Sequence, residues 1–415
     1  MELKRTLNLL DASSVGIGAI IGAGIFVVLG IAIGYAGPAI IISTIIAGII
    51  ASFTAFSFAE LGSSIPKEGG VYTYAYELIS PFAAFVVGIL WLFAQIVAGA
   101  AISLGFASYF VAIFPTFSIK MIAVIAAFTL TCLNLIGIKK SASVNNILVI
   151  IKIGILSLFI GFGIFQIHPQ NFAQFIPNGT SGILQGAAFI FFAYLGFGRI
   201  AMLGEEVKNP EKNLPKAILI ALIVSIILYV LTGFTATGLE NYEVLARSGS
   251  PLADAAKITG NFTLVAAVSL GALIATTSVL LTNLIGSSRV AFAMARNGQL
   301  PKSIAKISCR FGTPYISVIG MGILLTILAF TLDIKQATAI TSFAILSTHL
   351  IVNLSALRLR KKIPISKFRV PFYPLFPLLG FFSCIILMFS LPQQAWIVVA
   401  VAIGISATLY LLRKK

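Results

Sequence analysis

The first apolar segment of the chain carries four glycines close together, at Gly16, Gly18, Gly22 and Gly24. Each glycine costs about 0.8–1.0 kcal/mol of helix stability relative to alanine in water, so a lipid-facing helix gains nothing from so many. In hydrocarbon, non-helical backbone survives only beside protein or a water-filled cavity. The segment is therefore either a broken membrane helix whose amides line a site, or a close helix-packing surface of small residues.

The composition places the whole chain in the membrane class. Of its 415 residues, 59% are hydrophobic and 10% are charged, and the mean hydropathy is +1.06. Apolar stretches of bilayer-spanning length recur from end to end, and no long polar block could form a soluble domain. We predict an all-α membrane protein with about 12 transmembrane helices, forming one transporter-sized domain over residues 1–415.

The net charge of +16 raises nucleic acid as a partner, but the distribution of that charge argues against it. Basic residues fall in short clusters between apolar spans, such as Lys139–Lys140 and Arg413–Lys415, which is the positive-inside pattern. Two basic residues lie within spans, and the few on the opposite side are Lys120, Arg247, Lys257 and Lys335. The pattern predicts a multi-pass protein in the lipid bilayer of the cell membrane, with both termini cytoplasmic.

A second interrupted span, Ile183–Glu205, contains Gly196 and Gly198. It is the sixth span, so spans 1 and 6 each begin a group of five, and an odd number inverts the second group. Paired interrupted segments in two halves are the best sequence indicator of a transporter site. We predict repeat one over about 10–167, repeat two over about 183–357, and two extra helices over about 372–412.

Four motifs in the chain resemble those of the amino acid–polyamine–organocation (APC) superfamily, specifically of its amino acid permeases. They are Gly18–Phe26 in span 1, Phe192–Phe197 in span 6, Glu205–Pro210 after span 6, and Pro66–Tyr74 after span 2. The resemblance covers both predicted repeats. It implies a LeuT-like five-plus-five inverted repeat with helices 1 and 6 broken, alternating access, amino acid substrates and, in many members, coupling to protons.

A broken helix can bind both charges of an amino acid zwitterion. Its freed N–H groups and positive dipole end attract a carboxylate, and its freed C=O groups attract an ammonium. The resemblance implies that Gly22 to Gly24 bind the carboxylate and that span 6 carbonyls bind the ammonium. The predicted substrate site comprises Ile20, Gly22, Ala23, Gly24, Phe192, Ala193, Leu195 and Gly196, with Phe192 and Phe197 as candidate gates.

Lys152, in span 5 (about Asn146–Phe165), is the only lysine that we place within a span. Such a charge is a functional candidate by default, although Lys152 lies roughly 9 Å from the end of span 5 and could snorkel to the interface. The resemblance to proton-coupled members implies that its amine takes the place of a sodium ion, contacting span 1 backbone and hydroxyls of span 8 (about Leu264–Gly286). Because a buried lysine can exchange protons near neutral pH, the predicted proton-coupling residues are Lys152, Thr277 and Ser278, with Thr276 beside them.

Arg199 begins the second half of span 6, where its charge lies at an unfavourable positive dipole end. Its side chain is directed toward the break, so it either faces the substrate pathway or pairs across the bundle. Glu60, at the inner end of span 2, is the candidate partner. We predict a structural or gating ion pair rather than direct contact with the substrate.

Neither break contains a carboxylate, which argues against arginine, lysine and polyamines as main substrates. We therefore predict a secondary active transporter that takes neutral amino acids together with protons. Acidic amino acids stay open if Arg199 faces the site, and sodium-coupled symport or exchange by the same fold is the alternative mechanism. The oligomeric state is left open.

Other classes of protein fit the sequence less well. A channel or receptor lacks support because no ring of charges about a pore is visible. The two histidines are distant, and we find no metal-spaced ligands and no nucleophile–base pair, so we predict that the protein is not an enzyme and uses no cofactor.

Overall fold

The computed structural model describes residues 5–67, 69–136, 142–308, 313–363 and 368–413. The predicted basic pair Lys139–Lys140 and the last two residues of the C-terminal basic cluster lie outside these ranges. Within them the chain forms helices alone, apart from one isolated backbone bridge between Leu7 and Val207. The all-α prediction is therefore confirmed for the described residues.

The helices of the first half are mostly apolar, and one short amphipathic helix, Val71–Leu78, lies among them. In chain order they are α1 (Leu9–Ile20), α2 (Leu29–Ala36), α3 (Ile40–Ser64), α4 (Val71–Leu78), α5 (Pro81–Ile113), α6 (Ile119–Ile136) and α7 (Ala142–Gly163). The second half and the C-terminal region contain α8 (Gly179–Tyr194), α9 (Pro210–Leu239), α10 (Tyr242–Arg247), α11 (Pro251–Ile258), α12 (Phe262–Arg296), α13 (Tyr315–Thr331), α14 (Ile334–Lys362), α15 (Leu375–Phe389) and α16 (Gln393–Arg413).

Nine stretches of the described chain are long and apolar enough to cross a membrane. The first of them, Leu9–Ser64, is 56 residues long and contains α1, α2 and α3, with a turn at Gly37–Ala39. Two shorter apolar helices, α13 and α15, come in addition. Large apolar side chains on the outward faces of several helices are exposed, among them Phe128, Ile150, Phe330 and Phe382, as expected for a surface solvated by lipid.

Both glycine-containing spans are interrupted. α1 ends at Ile20, Ile21 has an extended backbone with φ −72° and ψ 101°, and helix resumes as a π-helical turn, Gly24–Val28, that runs into α2. In the sixth segment, α8 ends at Tyr194 and continues as a 3-10 helix, Leu195–Leu203. We call residues 20–24 the first break and residues 192–198 the second break.

The hydropathy pattern begins span 7 near Ala217 and ends spans 8 and 10 near Gly286 and Ala356, and all three boundaries are wrong by six to ten residues. α12 continues to Arg296, so Arg289 does not open a basic loop, and α14 continues to Lys362. α9 begins at Pro210 rather than near Ala217. Hydropathy ends a span at the first charges, whereas a helix continues beyond the apolar layer as long as its backbone groups bond to one another.

The buried core lies where the two halves of the chain meet. α3 packs along α9, α5 packs along α12, and α1 packs against both α9 and Leu195–Leu203. These contacts surround the two breaks with protein on every side, which is the condition for irregular backbone at membrane depth.

The N-terminal segment is joined to the segment after the second break. Thr6 and Leu7 donate backbone hydrogen bonds to Glu206 O at 2.9 and 3.0 Å, and Lys208 donates to Leu7 O at 2.8 Å. The Glu206 side chain in turn contacts Arg289 of α12, with Oε1 and Nη1 2.6 Å apart. One side of the bundle, which we call the α1 side, is therefore held together by both backbone and charge.

Candidate substrate site

The two breaks are in direct backbone contact. A Cβ added at Gly24 would lie 2.3 Å from Ala193 Cα, and one added at Gly196 would lie 2.4 Å from the carbonyl carbon of Ala19. Contacts this short leave no room for any side chain, so glycine is required for the approach. The glycine cluster thus serves both readings of the sequence, because it interrupts the helix and also allows close packing.

The first break leaves amide groups without helical partners. Within the described part of the chain, the N–H groups of Gly22, Ala23 and Gly24 donate to no backbone carbonyl, and all three residues are buried. Gly22 and Ala23 precede the π-helical turn that runs into α2, and Gly24 is its first residue, so the positive end of that helical dipole lies on these amides. Buried donors of this kind require an acceptor, and a carboxylate would supply one.

Lys152 of α7 binds the carbonyl side of the first break. Its Nζ donates to Gly18 O at 2.8 Å and to Ile21 O at 2.9 Å. The side chain is completely buried, so the amine is held inside the bundle and does not reach the interface. The ammonium is therefore solvated by backbone oxygens of the helix that the glycines interrupt.

The predicted span 8 hydroxyls lie on α12, which packs against both α7 and α1. Ser278 is buried and its Oγ donates to Ala275 O at 3.3 Å, while Thr276 donates to Ala272 O at 2.7 Å. Thr277 is half-buried. The structure thus brings the helix that carries these hydroxyls to the helix that carries Lys152.

Tyr229 of α9 is a site residue that the sequence analysis missed. Its hydroxyl donates to Ile20 O at 2.8 Å and lies 3.3 Å from Ala193 O, so it bridges the two breaks. Its ring packs against Tyr194, with centroids 5.2 Å apart. The available signal was a tyrosine inside an apolar span, since a buried phenol needs a hydrogen-bond partner.

A cavity lies next to the second break on the α1 side. Its walls come from α3, α4, α5, the Leu195–Leu203 segment and α14, and include Phe58, Trp91, Gln95, Leu195, Arg199 and His349. Gln95 of α5 and His349 of α14 are polar residues in apolar surroundings. The structure brings both to one cavity with Arg199, and Leu195 belongs at once to this cavity and to the second break.

Arg199 is held by neutral side chains. Its Nη1 donates to Thr282 Oγ1 at 3.2 Å, and its Nη2 donates to Gln95 Oε1 at 3.3 Å and to Asn283 Oδ1 at 3.0 Å. Asn283 also donates from Nδ2 to the backbone carbonyl oxygen of Gln95 at 2.7 Å. The guanidinium therefore links span 6 to α5 and α12 without a carboxylate among these partners.

The prediction that Glu60 pairs with Arg199 is wrong. Glu60 is completely buried, and its Oε1 lies 2.8 Å from Nε of Arg360, while its Oε2 accepts the Val370 N–H at 3.0 Å. The reason is the length of α14, which continues past the predicted end of span 10 and carries Arg360 to the level of Glu60.

The candidate gate Phe197 belongs to an aromatic cluster. It is completely buried, and its ring centroid lies 5.7 Å from that of Phe58 and 5.6 Å from that of His349. Phe191 contacts the same imidazole at 5.8 Å. Phe192, the second candidate, is nearly buried as well, and gating by either ring stays a prediction.

Comparison with known proteins identifies the family. A family model described as amino acid permease matches residues 11–405. A methylthioribose transporter of Bacillus subtilis is 36% identical over 99% of this chain and 94% of its own length, and the branched-chain amino acid permease BcaP of the same organism is 34% identical over 94% and 89%. The chloroplastic cationic amino acid transporter 9 of Arabidopsis thaliana is 33% identical over 74% of this chain and 58% of its own length. The chain therefore belongs to the amino acid permease family of the APC superfamily, and it is a multi-pass membrane transporter rather than an enzyme.

Proposed function

We propose that the protein is a secondary active transporter that carries amino acids across the cell membrane together with protons, by alternating access. Neutral amino acids are its main substrates. The observation that carries this proposal is the contact between the two breaks, where the unpaired amides of Gly22 to Gly24 lie beside the second break. A donor group and an acceptor group side by side are what a zwitterion needs.

The proposal includes the topology predicted from the sequence. α1 with α2 forms span 1, α8 with Leu195–Leu203 forms span 6, and α15 and α16 are the two extra spans of a twelve-span protein. Equivalent spans of the two repeats then pack on each other, because α3 and α9 are the second members and α5 and α12 are the third members. An inverted repeat produces such contacts, and the basic clusters put both termini in the cytoplasm.

Substrate binding follows from the two sides of the site. The α-carboxylate accepts hydrogen bonds from Gly22, Ala23 and Gly24, and the ammonium donates to carbonyls of Phe192, Ala193 and Leu195. These groups are common to all amino acids, so they set the class of substrate and leave the side chain to be read elsewhere. The breaks contain no carboxylate for a cationic side chain.

Proton coupling is assigned to Lys152. Its ammonium occupies the Gly18 and Ile21 carbonyls, which leaves these oxygens unavailable to a sodium ion and favours proton over sodium coupling. Loss of the proton weakens both hydrogen bonds, and with them the attachment of α7 to α1. Since a ligand shifts a conformational equilibrium only through differential interactions, this change of contacts is the step that couples protonation to movement of span 1.

The test uses purified protein in liposomes with an imposed pH gradient and a panel of labelled amino acids. Methylthioribose belongs in the panel, because a relative bears that name. We expect gradient-driven uptake of neutral amino acids that persists when sodium is replaced. If no amino acid is taken up or exchanged, the proposal is wrong, and if uptake follows sodium instead of the pH gradient, its coupling mechanism is wrong.

A further inference from the structure

The cavity beside the second break contains a cation without an anionic partner among the side chains that hold it. Arg199 lines this cavity and is bound by Thr282, Gln95 and Asn283, all of which are neutral. A charge at membrane depth is costly, and such residues normally mark a substrate or ion pathway. The side chains that bind Arg199 therefore do not balance its charge.

The helices that form the cavity walls offer few carboxylates to balance it. There is no Asp or Glu between Glu77 and Glu205 in the sequence, nor any in α12 or α14. Glu60 of α3 binds Arg360, and Glu77 of α4 binds Lys67 at 2.8 Å. Glu206, beyond the second break, binds Arg289. Each of these three carboxylates thus already has a basic partner of its own.

Hydrogen-bond donors remain in the cavity. The three bonds of Arg199 use three of the five N–H groups of a guanidinium. His349 lines the same cavity, is only 4% exposed, and its Nδ1 has no hydrogen-bond partner among the described residues. The rings of Phe58, Phe191 and Phe197 surround this imidazole and fix its direction.

We propose that Arg199 and His349 form a carboxylate site for the side chain of an acidic amino acid, so that aspartate and glutamate are a second substrate class of this transporter. The inference rests on the proposed function and adds to it. Leu195 connects the two sites, because it contributes to the second break and also lines the cavity. The cavity has a volume of about 10 Å³ in this structure, room for about one water. A substrate bound by its α-amino and α-carboxyl groups at the breaks therefore places its side chain there only when the cavity walls move apart.

The same charge excludes cationic substrates. A lysine or arginine side chain entering this cavity would meet the guanidinium of Arg199 with no carboxylate among the residues that bind it. Two like charges at close range in a low-dielectric site repel strongly.

The experiment measures competition in proteoliposomes. Uptake of the neutral amino acid identified by the screen is followed in the presence of unlabelled aspartate, glutamate or lysine. We expect aspartate or glutamate to compete at concentrations at least about tenfold lower than lysine. If neither acidic amino acid competes while neutral uptake is intact, this inference is overturned and the proposed function stands. If no amino acid is transported at all, the proposed function itself fails.

Variants then assign the effect to Arg199. Arg199→Gln should weaken competition by aspartate and glutamate at least about tenfold more than it weakens competition by an unlabelled neutral amino acid, and Arg199→Lys should restore part of the acidic competition. Arg296→Gln is the matched control, because Arg296 is an exposed arginine at the end of α12. Equal loss of acidic and neutral transport in Arg199→Gln would identify a purely structural residue and overturn the proposal. The competition experiment on the wild-type protein tests the proposal without any substitution, so it does not depend on whether a variant folds.

Discussion

Lys152 and Arg199 are two cations inside the same bundle, the first bound to backbone at the first break and the second directly after the second break, and they are held in different ways. Lys152 is completely buried and donates to two backbone carbonyls of the first span. Arg199 is half-buried, bonds to three neutral side chains and lines a cavity. The comparison teaches that two backbone oxygens can hold a buried ammonium within the fold, whereas the three neutral side chains around Arg199 use only three of the five N–H groups of its guanidinium.

The largest expected effect comes from removing the cation that is held by the backbone. Lys152→Ala leaves the Gly18 and Ile21 carbonyls without their donor and removes the proposed proton carrier. We expect pH-driven uptake to fall by about 100-fold or more, measured in proteoliposomes with and without a gradient. Full pH-dependent uptake by this variant would show that Lys152 does not carry the coupling proton, so that the two cations would not differ in this role.

The second test concerns the contact that brings the breaks together. Gly24→Ala places a Cβ 2.3 Å from Ala193 Cα, and such overpacking costs about 1–3 kcal/mol. The control is Gly154→Ala on α7, where an added Cβ meets nothing within 4 Å. Thermal unfolding in detergent should show a lower midpoint for Gly24→Ala only. Equal midpoints would mean that the breaks can separate without loss.

A smaller effect is expected at the hydroxyl that spans both breaks. Tyr229→Phe removes the donor to Ile20 O and the contact with Ala193 O, at a cost of about 1–3 kcal/mol because buried carbonyls lose a partner. Tyr76→Phe, at an exposed tyrosine of α4, serves as the control. We expect slower transport at unchanged pH dependence, and a shifted pH profile would show that Tyr229 and Lys152 act as one unit.

The smallest effect is expected among the neutral partners of Arg199. Thr282→Val removes one of three acceptors and should cost about 0.5–1.5 kcal/mol of unfolding free energy, without changing the pH dependence of uptake. Thr408→Val, at an exposed threonine of α16, is the matched control. If Thr282→Val reduced pH-driven uptake as much as Lys152→Ala does, Arg199 would be as necessary for transport as the lysine.

What the sequence could predict depends on whether the cause is local. The interruption at Gly22 and Gly24 is visible because glycine acts on its own backbone, and a lysine such as Lys152 stands out in an apolar span. The partners of Glu60 and Tyr229 were not predictable, because they lie on distant segments. Arg360 is 300 positions from Glu60, and Ile20 is 209 positions from Tyr229. Helix ends such as Lys362 were missed because hydropathy indicates which residues lie in the apolar layer of the bilayer, and a helix can extend beyond that layer.

The backbone bridge between the N-terminal segment and the chain after the second break has a mechanical consequence. Three backbone hydrogen bonds join residues 6–7 to residues 206–208, so the α1-side ends of both broken spans are fastened to each other. While these bonds persist, a movement that opens this side moves the two ends together as one rigid unit. The salt bridge between Glu206 and Arg289 of α12 then has to break before this unit can move away from α12.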